Sequence, residues 1–317
     1  MAARPLRLGL IGAGRWGRIY IKTLARLDGF ELVRLASSNP ESRALVDGNC
    51  IISENWRCVA GAEDIDGVII AAPPTLHDEM AQTAIEAGNP VLVEKPLTLD
   101  VDEARSLLAF AEGKGAIVHV DHVHLYHPAY RMLKNVSLGM GPVCAIHTGA
   151  GDWGPFRGDT SILWDRGSHD IAMCLDLLAG RPQSVSAHIK ETRDTEEGHG
   201  EAISLQLIFS GGVRADIEIS NLLAAKKRHM AVHFDRETLI YDEIGTQTLV
   251  REPRQDSAKH EPREAQVLDV PQRLPLDQVL IDFAAAIECG ESDLAGLRLG
   301  VDVVDVLGRC QQALDKP

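Results

Sequence analysis

The stretch "LRLGLIGAGRWGRIYIKTLARL", residues 6–27, decides the reading of this 317-residue chain. An apolar run ends in a glycine-rich turn, and helical periodicity follows at once. Gly12, Gly14 and Gly17 stand in the G-x-G-x-x-G spacing, with the strand before and the helix after that the motif requires. Each glycine has a physical task. The first allows the tight turn, the second lets a pyrophosphate approach the backbone, and the third lets the helix pack on the strand. Arg15 and Trp16 lie inside the same loop, so the expected dinucleotide contacts begin at Gly12, Gly14, Arg15, Trp16 and Gly17.

Outward from this loop the pattern alternates. "ELVRLAS" (31–37), "DGVIIAA" (66–72), "PVLVE" (90–94) and "AIVHV" (116–120) read as strands. "LHDEMAQTAIEAG" (76–88) and "DVDEARSLLAFAEGKG" (100–115) read as helices. Such alternation predicts a doubly wound parallel sheet, whose ligands sit at the carboxyl ends of the strands. That edge carries Ser37, Ser38, Ala72, Pro73, His77, Glu94 and Lys95, the further cofactor candidates. An NAD site usually has an acid about 20 residues beyond the glycines to bond the ribose 2′-hydroxyl. Here Ser37 stands instead, with Arg34 and Arg43 near to neutralise a 2′-phosphate. NADP(H) is therefore favoured and NAD(H) is the alternative.

Composition bounds the rest. Hydrophobic residues make 45% and charged residues 25% of the chain, with a formal net charge of −14. Such acidity argues against nucleic acid or an anionic membrane as partner, and there is no long apolar run for a membrane span. Cys50, Cys58, Cys144, Cys174, Cys289 and Cys310 form no CxxC pair, so a reduced, cytoplasmic setting is expected. His119, His122, His124 and His127 lack the acidic or cysteine partner of a recognisable zinc spacing, and no metal is expected.

A second stretch asks for chemistry. "ILWDRGSHDI" (162–171) opens a buried-looking helix with Asp165 and His169 four positions apart, on one helical face. Taken with "VLVEKPLT" (91–98) after a glycine motif, this D-x-G-x-H run resembles the Gfo/Idh/MocA family, named for glucose-fructose oxidoreductase and inositol dehydrogenase. The segment 71–97 resembles that family throughout.

The resemblance implies an α/β fold with a Rossmann domain over residues 1–123. A C-terminal α/β domain with an open, mostly antiparallel sheet would cover 124–317, its last helix packing back on the first domain. It also implies that Lys95, Asp165 and His169 are catalytic, that Pro96 shapes the turn aiming Lys95, and that a homodimer or homotetramer forms through the broad sheet face. The chemistry agrees. A histidine exchanges a proton near neutral pH, and a lysine stabilises a developing alkoxide.

One position departs from the polyol-binding members: a further Asp three residues after the histidine is here Ala172. "VDHVHLYHPAY" (120–130) and "GPFRGDTSILWD" (154–165) look more like the nucleotide-sugar branch. They nominate Tyr126, His127, Trp153, Arg157 and Trp164 as substrate contacts. The expected activity is hydride transfer between a nicotinamide and a secondary hydroxyl or keto group of a sugar or sugar nucleotide. A redox-elimination glycosidase and an inactive NAD(P)-binding regulator or scaffold are the alternatives. The second half adds strands at 142–150, 183–191, 202–210, 212–220, 229–235 and 237–243 and closing helices at 276–290 and 298–314. The charged stretch 251–266 reads as a loop.

Overall fold

In the computed structural model the described residues are 4–158, 160–254 and 264–316. The chain forms two compact units, one of the described residues up to His122 with Leu276–Val304, the other of Val123–Pro275 with the described residues from Asp305 on.

The first unit starts with β1 (Leu6–Ile11), α1 (Arg15–Arg26), β2 (Phe30–Ala36), β3 (Ile51–Ser53), α2 (Arg57–Ala60) and β4 (Gly67–Ile70). It continues with α3 (His77–Glu86), β5 (Val91–Glu94), α4 (Val101–Lys114) and β6 (Val118–Asp121). Six strands lie in the order β3-β2-β1-β4-β5-β6, and every pairing is parallel. The order turns back at β1, so the crossovers run to both sides of that strand. Strands β4, β5 and β6 are buried along their whole lengths, so Glu94, His119 and Asp121 are buried with their apolar neighbours.

Local chemistry sets the helix ends. Asp100 caps α4, its side chain accepting from the Asp102 and Glu103 amides at 2.8 and 3.0 Å, and Gly115 closes it in the left-handed region. On α1 the buried face is Gly17, Tyr20, Ile21 and Leu24, the spacing of one helical stripe.

The second unit holds α5 (Pro128–Ser137), β7 (Ala145–Trp153), α6 (Ser168–Leu178), β8 (Ser184–Thr195), β9 (Gly198–Ile208), β10 (Arg214–Ser220), β11 (Leu222–His233), β12 (Glu237–Asp242), β13 (Leu249–Pro253) and β14 (Gln266–Val267). Its eight strands run β14-β13-β12-β11-β7-β10-β9-β8. All neighbours are antiparallel except β7 and β10. Helix α6 lies against β7 and β10, and α5 against β12. The charged stretch read as a loop contributes β13 and β14 at its ends, and its residues 255–263 lie outside the described ones.

Two helices close the chain, α7 (Pro275–Cys289) and α8 (Ala295–Leu314). Within the first unit α7 covers β4: a Cβ on Gly67 would meet Ile287 at 3.0 Å. Gly300 brings α8 equally near, its Cβ position only 2.9 Å from Val120. Ala295–Val304 belongs to the first unit and the rest of α8 to the second. Among the described residues no helix is long and apolar enough to cross a membrane.

Candidate active site

The glycine loop follows the carboxyl end of β1, and its three glycines do three different things. Gly12 has φ +100°, and a Cβ there would lie 2.4 Å from the Ala71 carbonyl oxygen. Gly17 is tighter still, with its Cβ position 2.0 Å from the Gly12 carbonyl oxygen. Gly14 faces open space, with nothing within 4 Å of a Cβ, at the N-cap of α1 where no side chain caps the helix. Free amides at a helix start beside an open glycine fit a pyrophosphate. Arg15 is exposed and Trp16 half-buried in the first turn of α1.

At the end of β2, the Ser37 amide donates to the Ser53 carbonyl at 3.0 Å, and the Ser37 and Ser42 hydroxyls lie 2.7 Å apart. Ser38 is exposed beside them. Both nearby arginines are engaged. Arg34 pairs with Asp64 at 2.5 Å, and Arg43 donates to the carbonyls of Cys50, Val46 and Asp47, closing the loop after β2.

Lys95 follows β5 on the same sheet edge and is 8% exposed, joined to Pro96 by a cis peptide bond. His77, nominated for the cofactor, is fully buried. Its Nδ1 lies 3.0 Å from the Pro96 carbonyl and its Nε2 2.9 Å from that of Ala72. The ring therefore ties the end of β4, at Ala72 and Pro73, to the turn that carries Lys95. Burial holds its pKa below the ordinary range, against the raising effect of those carbonyls.

Glu94 is likewise buried, register partner of Asp121 on β6. The two carboxyl groups are neighbours on adjacent strands, and the Tyr20 hydroxyl of α1 donates to Asp121. Burial and the Asp121 charge push Glu94 well above the usual carboxylate range, and burial takes Asp121 up to about 6. This cluster was not found from the sequence, since Tyr20 and Asp121 stand 101 positions apart. His122 is buried beside it, held down at about 3 by burial and by the Lys95 charge.

In the second unit the D-x-G-x-H segment departs from the expected α-helical face. Leu163–Gly167 is a π-helical turn, and α6 begins only at Ser168. Asp165 thus sits on a widened turn, a local distortion frequent at functional sites. Its carboxylate pairs with Arg157 at 3.5 Å. Both line a cavity of about 320 Å³ together with Thr160, His199, Glu201 and Asn221. His169, 7% exposed, lies in the first turn of α6, and its ring meets that of His124 edge-on, centroids 4.6 Å apart. The next residue, Asp170, is fully buried and accepts from Arg228 of β11 at 3.0 Å.

The remaining substrate candidates are dispersed. His127 is the N-cap of α5, its Nδ1 accepting from the Ala129 amide at 3.2 Å while its ring packs on Tyr241. Tyr126 lies under the Arg131 guanidinium. Trp164 is buried and donates to Gln311 at 3.2 Å. Trp153 is 42% exposed, stacks edge-on with Phe156 and donates to Glu197 at 3.1 Å. Arg157 alone of the five lines the cavity. Among the described residues no three His, Cys, Asp or Glu side chains cluster to hold a metal.

Comparison with known proteins agrees with this architecture. The sequence model of the oxidoreductase family with NAD-binding Rossmann fold matches residues 6–122, and that of the GFO/IDH/MocA C-terminal domain matches 140–240. A crystal structure from Magnetospirillum magnetotacticum MS-1 is 41% identical with a TM-score of 0.89, over 96% of this chain and 99% of that one. UDP-N-acetylglucosamine 3-dehydrogenase of Acidithiobacillus ferrooxidans is 25% identical over 281 residues, 83% of this chain and 87% of that protein. Inositol 2-dehydrogenase of Ralstonia nicotianae is 28% identical over 275 residues, 82% of this chain and 78% of that protein. With a Rossmann unit followed by a matching second domain, the chain belongs to the Gfo/Idh/MocA family of oxidoreductases.

Proposed function

We propose that this oxidoreductase transfers a hydride between NADP(H) and a secondary hydroxyl or keto group of a sugar or sugar nucleotide, with Lys95, Asp165 and His169 as its catalytic residues. One observation carries the reading: the parallel sheet brings the open glycine loop after β1 and the buried Lys95 after β5 to the same carboxyl edge. The relatives named for UDP-N-acetylglucosamine and inositol support the class of substrate.

A bound nicotinamide dinucleotide supplies the hydride acceptor or donor. Gly12, Gly14 and Gly17 would hold its pyrophosphate and Ser37 and Ser38 its adenosine ribose. The chain's own residues then deal with oxygen and proton. Lys95 donates to the reacting oxygen and stabilises alkoxide charge. His169 takes the hydroxyl proton in oxidation and returns it in reduction. Asp165, opposite Arg157 on the cavity wall, binds a neighbouring hydroxyl. Assembly as a homodimer or homotetramer and a cytoplasmic setting belong to the same proposal.

The test is direct. Titration with NADPH and NADH separately, followed by tryptophan fluorescence, should show tighter NADPH binding. Lys95→Met should abolish turnover of sugar and sugar-nucleotide substrates and leave nucleotide affinity nearly unchanged. Normal turnover by that variant removes Lys95 from the mechanism.

A further inference from the structure

Glu243 follows β12, and its amide donates to the Arg228 carbonyl at 3.0 Å, which fixes it against β11. Its carboxylate is surrounded. Lys226 Nζ donates to Oε1 at 2.9 Å, the Tyr241 hydroxyl donates to Oε2 at 3.2 Å, and His124 Nδ1 stands 3.6 Å from Oε2. Burial pushes its pKa up, but Lys226, Arg228 and His127 outweigh burial and hold the group below the usual carboxylate range. Glu243 is thus a fixed, half-buried anion of the second unit.

His124 lies in the short turn Val123–Tyr126, against α6. Its ring stands at 89° to that of His169, centroids 4.6 Å apart, with Glu243 on its Nδ1 side. No motif marks this arrangement, because Glu243 and His124 are far apart in sequence.

We propose that Glu243 and His124 are positioning residues for His169: Glu243 fixes the His124 ring, and His124 packs edge-on against His169 and stabilises the proton it acquires. The proposal rests on the reading of His169 as the proton-exchanging group. In oxidation the O–H and carbinol C–H bonds of the substrate would break as its C=O bond forms, the proton passing to His169 and the hydride to a bound nicotinamide dinucleotide. His169 then carries positive charge, and the nearest fixed anion of the Lys226–Glu243–His124 row compensates it. Asp165 and Asp170 flank His169 on its own segment; Asp165 faces Arg157, and Asp170 is paired with Arg228. Lys226, Arg228, Tyr241 and His127 also act on the Glu243 carboxylate.

The test needs no substrate. Full-length protein carrying ¹³C-labelled histidine is titrated by NMR from about pH 5 to about pH 9, around the ordinary histidine range. His124→Asn and His169→Asn assign the two signals. Glu243→Gln keeps the shape and removes the charge. It should lower the His124 midpoint by about one unit and the His169 midpoint by a smaller amount of the same sign. Far-UV circular dichroism matching the wild type should show that the variant is folded. Glu243→Asp should restore part of both shifts. Unmoved His124 and His169 midpoints in folded Glu243→Gln overturn the proposal. If that variant does not fold, His124→Asn must by itself shift the His169 midpoint, and a constant midpoint overturns the proposal equally. Turnover retained by His169→Asn would instead sink the catalytic assignment of His169, whatever the titrations show.

Discussion

Arg228 of β11 donates to the Asp170 carboxylate of α6 across 3.0 Å, with both side chains almost wholly removed from solvent. The pair sits beside His169 and ties the helix that carries it to the sheet. A buried ion pair adds little over a well-packed apolar pair, but removing one partner strands the other's charge. Arg228→Leu should therefore cost about 3–5 kcal/mol of stability, and Asp170→Asn with Arg228→Leu should cost less than the sum of the single changes. Burial already raises the Asp170 pKa against the opposing effect of Arg228, so without the arginine the carboxyl binds its proton more firmly. A carboxyl with a raised folded pKa contributes stability at low pH and loses it as pH rises. The variant's deficit should thus be larger at pH 7 than near pH 5. Urea unfolding at both values checks this, and equal deficits would contradict it.

Gly14 and Gly17 separate folding from binding. A methyl group on Gly17 would collide with the Gly12 carbonyl, whereas one on Gly14 would meet no protein atom. Gly17→Ala should lose about 1–3 kcal/mol through overpacking, together with dinucleotide affinity. Gly14→Ala should unfold within about 0.5 kcal/mol of the wild type, as surface changes do, and still bind NADPH far more weakly. Thermal unfolding with a fluorescence titration distinguishes the two. Undiminished NADPH binding by Gly14→Ala would refute the pyrophosphate assignment.

What the sequence revealed and what it hid differ in range along the chain. The glycine loop, the buried strands and the helices are local patterns of period and spacing, and they were legible. Strand β3, three residues long, is too short to carry a period. The parallel contact of β7 with β10 inside an otherwise antiparallel sheet is a matter of pairing order, which alternation along each strand cannot express. The spacing of Asp165 and His169 predicts one α-helical face, but the π turn widens the backbone just there. His77 and His127 have residue types that suggest ligands. One ties two strand ends together and the other caps α5. The buried Tyr20–Asp121–Glu94 and Asp170–Arg228 contacts join residues with no local relation, so only the fold exposes them.

Asp121 gives a second dependence on pH. With its folded pKa at about 6, against about 3.9 for an unperturbed Asp, the native state binds more protons than the unfolded state between those values. Its contribution to stability is fully present below about pH 4 and is lost as pH rises to about 6. Asp121→Asn removes that titration and keeps the shape. Relative to this variant, wild-type stability should fall by about 1.4 kcal/mol for each pH unit inside the window and stay level above it. Urea midpoints of both proteins across that range provide the check. A constant difference would mean that Asp121 stays ionised across that range.

Cofactor choice turns on the end of β2. Ser37 lies there with its hydroxyl against that of Ser42, and no carboxylate occupies its position. The two arginines expected to serve a 2′-phosphate are engaged elsewhere, Arg34 with Asp64 and Arg43 with the carbonyls that close the following loop. On the proposed preference for NADP(H), tolerance of the phosphate would rest mainly on the missing acid rather than on a dedicated cation. Ser37→Asp should weaken NADPH binding about tenfold, equivalent to ~1.4 kcal/mol of repulsion, a modest demand on two charges in a partly solvated site. NADH binding should hold or tighten, because the new carboxylate can accept from the ribose hydroxyls. Asp64→Ala should act in the opposite sense. It releases Arg34, so NADPH should bind more tightly and its affinity should fall more steeply with salt. Titrations of the three proteins at two ionic strengths read both effects. Equal NADPH affinity in wild type and Ser37→Asp would show that the 2′-phosphate is bound away from the end of β2.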